Sequence, residues 1–499
     1  MAVGVSWLRW PAPAIHDEFS YLLAADTLAH GRTANPTHPH WQHFETFHVV
    51  QQPAYASKYP PGQGLLMAAG QRLCGHPLAG IWLLTALATV SFYWMLLGWT
   101  TPRWAAVGGM LCLIHPGLQL VWGQSYWGGG LAFAGGSLVF GGAVRLCRRQ
   151  QVIDAVAMSS GAAMLAVSRP FEGFVFCLLV GGWVIASWIR RDVTPWRRVV
   201  WASIVPQLVI FAGLGAGLAA YNQSITGDPW QMPYVLHEAT YGRCPLFLWQ
   251  PPAPEREYRH EVVAGYHNQW SLDWYRKQQS WSGLLGNKLK WASRTWQRYF
   301  PQLVGLPLLM LLPMRRLGRV RIVLAIAGVV WLVSQTAVWN YPHYIAPIGP
   351  LLLLAVVWGL RRLDVLSRRR LGGWRLSTAV VALQALLFAH VTQAYVEMPK
   401  DTWNWQRQRI VEQLQHTPGQ HLVIVRYAQE HPVFFEWVYN DADIDRSKIV
   451  WAREMGAPLD RELCRYFADR HLWLLEADAA SPQVVPYDPP APTGPPTAG

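Results

Sequence analysis

Long apolar runs dominate the chain. Stretches of about 20 mostly apolar residues, the length a bilayer-spanning helix needs, begin near Pro77, Arg103, Tyr126, Val152, Phe171, Val199, Phe300, Arg321, Ile345 and Ser377. Their interiors are nearly free of ionisable groups, His115 and His390 being the exceptions. The short loops between them collect arginine: RLCRR at 145–149, RRDVTPWRR at 190–198, RRLGRVR at 315–321 and RRLDVLSRRR at 361–370. Arg-rich short loops stay on the cytoplasmic side. This places 145–151, 190–198, 315–321 and 361–375 inside, and 16–76, 222–299, 339–344 and everything after 395 outside. The alternation requires one more helix before residue 16. Only MAVGVSWLRWPAPAI stands there, too short to span, so a truncated first helix is expected and the total is about 10–11 transmembrane helices.

The periodicity changes outside the membrane. DEFSYLLAADTLAHG predicts a short helix ending at Gly31. PPGQGLLMAAGQRLCG predicts another, with Pro60 and Pro61 at its start. In WSGLLGNKLKWASRTWQRYF, Trp281, Leu285, Leu289, Ala292, Trp296 and Tyr299 recur at helical spacing with basic residues between them, the pattern of a helix lying on a membrane surface. After about residue 400, HLVIVRY, KIVWARE and HLWLLEAD read as strands, and TWNWQRQRIVEQLQ and LDRELCRYFADR as helices. That alternation predicts a small α/β domain. The expected fold is an α-helical polytopic membrane domain over 1–395 with outer loops 16–76 and 222–299, a small extracytoplasmic α/β domain over 396–480, and a disordered Pro-rich tail over 481–499.

Composition agrees. Residues are 52% hydrophobic and 14% charged, where soluble chains are about a quarter charged. The 29 Trp suit a chain that crosses two membrane–water interfaces. The net charge of +13 comes from loop arginines, not from basic residues interleaved with aromatics on a soluble face, so no nucleic-acid partner is expected. The six Cys contain no CxxC pair, which argues against a zinc ribbon or thioredoxin-type site. Cys74, Cys112, Cys147 and Cys177 lie in or beside apolar runs; Cys244 and Cys464 fall in polar segments, and their pairing is open.

Carboxylates are scarce, yet Asp17 and Glu18 stand side by side at the start of an outer helix. Asp17 either caps that helix or serves chemistry at the membrane surface. Lys58 precedes a Pro-initiated helix, and helix N-termini attract anions. Arg169 in SRPFEG either pairs with Glu172 or binds an anion, for which guanidinium geometry is suited. His16, His30, His38, His40, His43, His48 and Glu45 crowd the first loop. Imidazole and carboxylate are metal ligands, but HPHWQHFETFH matches no ligand pattern. No metal or other cofactor is expected, a divalent cation being the alternative. In HEATYGRCP, His237 and Glu238 match HExxH only in its first two letters; Tyr241 replaces the second His, which excludes a zincin.

The acidic pair followed by SKYPPGQGLLMAAG resembles the GT-C glycosyltransferases, multi-span enzymes similar to protein O-mannosyltransferases and the lipid A aminoarabinose transferase. The alternating topology, long outer loops, YPHYIAP in a late outer loop and an external C-terminal domain fit the same pattern. SRPFEG, HEATYGRCP and FFEWVYNDADIDRSKIVWARE resemble an uncharacterised bacterial branch of it. The short N-terminus departs from it.

The resemblance implies Asp17 as catalytic base with Glu18 beside it. It implies Lys58, Tyr59, Arg169, Glu172, His237, Glu238, His343 and Tyr344 as substrate-binding residues. The implied activity is inverting transfer of a sugar from a polyprenyl-phosphate donor to a glycan, lipid or protein acceptor, at the periplasmic face of the bacterial inner membrane. The chemistry is consistent: a carboxylate in reach of a hydroxyl can take its proton, and the phosphate leaving group needs positive charge, not a general acid. A lipid-linked-sugar transporter or flippase would call for mid-membrane charges and internal repeats, and neither is evident. A catalytically inactive membrane assembly protein is the other alternative.

Overall fold

The computed structural model describes residues 1–190, 196–314, 317–370 and 376–488. Parts of three Arg-rich loops and the last residues of the Pro-rich tail lie outside this range. Four described helices are long and apolar enough to cross a membrane: Leu78–Trp99, Pro170–Arg190, Trp196–Thr226 and Leu376–Glu397. Most of the other expected spans are shorter or broken. Pro102–Leu113 stops before His115 and Pro116, and a π-helical turn, Gly117–Trp122, follows it. Gly130–Leu146 and Val152–Ala166 have 17 and 15 residues. Gly318–Ser334 has 17, and the run from Phe300 yields only the 3₁₀ segment Leu306–Met314. Gly349–Arg370 is long enough but carries Arg361, Arg362, Asp364 and Arg368 in its second half.

Two of the short helices pack closely. A Cβ on Gly161 would lie 2.5 Å from the Gly135 carbonyl oxygen. Small residues there let Gly130–Leu146 and Val152–Ala166 approach backbone to backbone, as membrane helices do where Gly meets Gly. The main apolar core follows from these contacts: Phe92, Phe133, Phe140 and Phe176 are fully buried within it. Trp99 stacks on Phe140 at 4.5 Å.

The chain opens with a short helix, Ala2–Leu8, and reaches the first outer helix, His16–Ala29, through non-helical residues. The second outer helix is Gly62–Cys74, with Pro61 as its N-cap. Between them Asn35–Pro36, Ala54–Ser57 and Val49–Val50 form a small antiparallel sheet in that order. The surface helix is Trp281–Tyr299; Trp281, Leu285, Leu289 and Trp296 are exposed, while Trp291 and Tyr299 turn inward.

The C-terminal region contains the expected strands and helices. His421–Arg426 lies between Ile449–Arg453 and His471–Glu476, all parallel, with Trp403–His416 and Ala457–Tyr466 as helices. One boundary differs from the sequence reading. Val484–Pro486 adds an antiparallel edge strand to His471–Glu476, and Tyr487 is buried, so the ordered region runs past residue 480. The domain seats on the first outer helix: the Phe19 and Tyr439 rings are parallel at 4.2 Å. Cys244 and Cys464 are both free thiols.

Candidate active site

Asp17 does not cap its helix. The N-cap is Ile15, and no side chain caps the helix start. Asp17 Oδ1 instead accepts from the Tyr59 hydroxyl at 2.5 Å, and His48 Nε2 stands 3.3 Å from the same oxygen. Oδ2 has no hydrogen-bond partner among the described residues. Glu18, about 100° further round the helix, points elsewhere. Its carboxylate accepts the backbone N–H groups of Ala14 at 2.8 Å and Tyr126 at 2.9 Å. Burial raises its pKa to about 7 against those hydrogen bonds. The expected acidic pair is therefore split. Asp17 faces the site, and Glu18 ties the helix start to the loop at Tyr126.

The residues opposite Asp17 are fixed by a small hydroxyl network. Ser20 Oγ donates to the His48 carbonyl at 2.6 Å and meets Ser57 Oγ at 2.7 Å. The Lys58 N–H donates to the same carbonyl at 3.2 Å, and the Tyr59 N–H to Ser57 Oγ at 3.2 Å. This holds Lys58 and Tyr59 side by side just before the Pro-initiated helix. Tyr59 also stacks on Tyr21 at 4.6 Å.

Lys58 Nζ lies 3.0 Å from Glu238 Oε1 and 4.9 Å from the Tyr234 ring centre. Burial opposes charge on Glu238, but the Lys58 ammonium and neighbouring His237 overcome it and hold the carboxyl well below its usual range. Arg169 lies over the Tyr344 ring at 4.5 Å. No carboxylate, Glu172 included, comes within ion-pair distance of it among the described residues.

Asp17, Lys58, Tyr59, Arg169, Glu172, Glu238 and Tyr344 all line one cavity of about 700 Å³. The rest of its wall is largely apolar: Phe171, Phe174, Leu218, Phe247, Trp270 and Trp339 contribute. Phe174 is also 67% exposed, on a helix apolar enough to cross a membrane. The cavity thus reaches the outer surface of that helix.

Three expected site residues do not line this cavity. Glu18 is the first. His343 is buried and packs edge-to-face on Trp127 at 4.2 Å, supporting a wall residue. His237 is buried behind Glu238, with Nδ1 3.5 Å from Oε1.

The cavity also contains residues that local sequence did not single out for it. His16 and His48 were conspicuous only as members of a His-rich loop. His16 bonds to the Tyr439 hydroxyl at 2.8 Å and the Val433 carbonyl at 2.9 Å, and burial lowers its pKa to about 4. Tyr234, Tyr266 and Phe434 reach the wall from three distant segments. The other loop histidines disperse: His38 meets Asp445 at 3.1 Å, and His43 the Arg453 carbonyl at 2.9 Å. Among the described residues no group of three or more His, Cys, Asp or Glu is arranged to hold a metal ion.

No family model matches the sequence, and no curated protein matches it. Solved structures do. The chain superposes on ArnT from Cupriavidus metallidurans bound to undecaprenyl phosphate with a TM-score of 0.53, over 95% of this chain and 91% of that one, at 15% identity. The fold is that of ArnT. The apo form of the same protein gives 0.51 over the same shares at 14% identity. At 14–15% identity the likeness is one of fold, and it extends over nearly the whole chain.

Proposed function

We propose that this chain is an integral-membrane glycosyltransferase that transfers a sugar from a polyprenyl-phosphate donor to an acceptor hydroxyl. The observation that carries the reading is the content of the cavity of about 700 Å³ around Asp17. An unbonded carboxylate oxygen, two cationic side chains and a long apolar wall meet there. A lipid-linked sugar phosphate requires each of them. ArnT, which has this fold, was crystallised with undecaprenyl phosphate.

The apolar wall, open beside Phe174, would take the polyprenyl chain from the bilayer. Lys58 and Arg169 would hold the phosphate. Tyr344 beneath the Arg169 guanidinium and Tyr234 beside Lys58 position the two charges. Asp17, fixed through Oδ1, would accept the acceptor's proton on Oδ2. The acceptor oxygen forms its bond to the anomeric carbon as the bond to the phosphate oxygen breaks, from the opposite side, so configuration inverts. The electron pair of the broken bond stays with the phosphate, an anion that Lys58 and Arg169 stabilise as charge develops. No step calls for Glu18, which acts in this reading as a structural tie. The Arg-rich loops support an extracytoplasmic reaction face, in this reading that of a bacterial inner membrane.

The test is a transfer assay with purified protein in detergent and a panel of polyprenyl-phosphate sugars. At least one donor should release free polyprenyl phosphate and label an acceptor. Asp17→Asn should lower that turnover by about 100-fold or more. Undiminished turnover in D17N would overturn the base assignment, and no turnover with any donor would overturn the reading.

A further inference from the structure

His48 makes an unusual set of demands on the chain. Its φ is +61°, a left-handed conformation that non-glycine residues adopt at a cost. Its carbonyl anchors both Ser20 and Lys58. Its ring lines the cavity, with Nε2 3.3 Å from Asp17 Oδ1, while Nδ1 is buried without a hydrogen-bond partner. A residue serving only as a backbone anchor would be replaced at no loss by Gly or Asn, which suit this conformation. The cost of keeping an imidazole there calls for a use of the ring.

We infer that His48 is a positioning residue for Asp17: it presents a neutral Nε2–H to Oδ1, and with Tyr59 fixes the carboxylate so that Oδ2 faces the acceptor. This rests on the proposed role of Asp17 as base. The tautomer follows from the neighbours, because a carboxylate only accepts and the nitrogen facing it must carry the hydrogen. Nδ1 is then a bare lone pair, consistent with its lack of a donor.

Neutrality is what makes the arrangement useful. An imidazolium beside Asp17 would suppress its basicity, whereas a neutral N–H orients it. Burial, reinforced by Lys58 and by His16, His237 and His267, lowers the His48 pKa well below 6.5. The groups around the pair come from every neighbouring element. His16 shares the Asp17 helix, Lys58 and Tyr59 lie across from it, and His237 and Glu238 come from Pro233–Tyr241. Tyr266 and His267 come from Gly265–Trp270, and Arg169 adds positive charge near Asp17. Burial lowers His16 and His237 to about 4 and His267 to about 3. Glu238 is held ionised and Lys58 is paired with it.

The test uses His48→Gly and His48→Asn in the full-length protein, both compatible with the left-handed backbone, with melting temperature as the folding control. In H48G, kcat should fall about 10- to 100-fold, the scale of one hydrogen bond to a charged group, with little change in donor KM. Added imidazole should restore turnover in H48G but not in H48N. Wild-type kcat in H48G, or a fall with no imidazole rescue, would overturn the inference. A second arm needs no turnover and so separates this inference from the transferase reading. In ¹⁵N-histidine-labelled protein, the His48 ring, assigned by its loss in H48N, should show a neutral Nε2–H pattern at pH 5–7 that shifts in D17N. An Nδ1–H pattern, or one indifferent to D17N, would overturn it whether or not a donor is found.

Discussion

Lys58 and Glu238 lie 180 residues apart, and Lys58 Nζ donates to Glu238 Oε1 at 3.0 Å inside the cavity. The pair joins the segment after the small outer sheet to the helix Pro233–Tyr241. In this buried place the carboxylate also compensates the hydration that the Lys58 side chain loses. A donor phosphate would find that ammonium already oriented.

Lys58→Ala should therefore weaken donor binding or turnover by about 10- to 100-fold, the scale of one hydrogen bond to a charged group. Lys58→Arg should retain part of the function, since the charge stays and only the geometry changes. Glu238→Gln should leave a less oriented Lys58 and reduce turnover less than K58A does. Donor titrations with the three variants check the order. K58A equal to wild type would remove Lys58 from the phosphate site.

The packing of Phe19 on Tyr439 has a topological consequence. The C-terminal domain sits against the helix that carries Asp17, so both must lie on one side of the membrane. In the proposed topology, with the Arg-rich loops cytoplasmic, that side is extracytoplasmic. A reporter active only in the cytoplasm, fused to the chain's C-terminus, should be silent, and one active only outside it should give signal. The reverse result would move the cavity and Asp17 to the cytoplasmic face together.

Local sequence carried the parts of this fold that are locally determined. The helices at His16–Ala29, Gly62–Cys74 and Trp281–Tyr299 follow from spacing and end signals within a single turn or two, and the C-terminal strands from short β-rich runs. The span count was not legible in the same way. Gly135 and Gly161 let two short helices approach backbone to backbone, a contact that hydropathy along one run does not encode. The site divides similarly. Asp17, Lys58 and Tyr59 stood in recognisable short motifs. Glu18 was misplaced because adjacent residues on a helix face different neighbours. His48 was hidden because its value lies in a left-handed backbone and a contact to Asp17 across the loop.

Glu18 should leave a mark on stability. Burial raises its pKa from 4.5 to about 7 in the folded chain. The folded state thus holds a proton that the unfolded state has lost between those values, so this group's contribution favours folding below pH 4.5 and is lost as pH rises toward about 7. The full effect is on the order of 3 kcal/mol. Relative to wild type, Glu18→Gln should therefore gain stability as pH is raised from 4.5 to 7.5, even though it loses one backbone hydrogen bond at all pH values. Thermal unfolding in detergent at both pH values checks this. A pH-independent difference would mean that folding leaves the Glu18 pKa unshifted.

The opposite pH dependence is expected where the C-terminal domain meets the first outer loop. Arg453 and Glu436 are both almost wholly buried and form an ion pair. The Tyr427 hydroxyl donates to Glu436 at 2.5 Å and the Val438 N–H at 2.8 Å, while Arg453 Nε donates to the Glu45 carbonyl at 2.7 Å. Burial alone would raise the Glu436 pKa; the Arg453 guanidinium outweighs it and lowers the pKa below 4.5. Arg453→Met keeps much of the side-chain bulk but strands a buried carboxylate. At pH 7.5 it should cost about 3–5 kcal/mol, the usual loss when one partner of a buried pair is removed. Without the guanidinium, burial dominates and the Glu436 pKa should rise above its unfolded value. Acidification then lets Glu436 take a proton and become neutral, so the deficit of R453M should shrink between pH 7.5 and 5. In Arg453→Met/Glu436→Gln no charge is left to strand, and the double variant should be more stable than R453M at pH 7.5. Melting curves of the three proteins at the two pH values decide it. An R453M deficit that stays constant with pH, or a double variant no better than the single one, would mean that lost packing and not the stranded charge sets the cost.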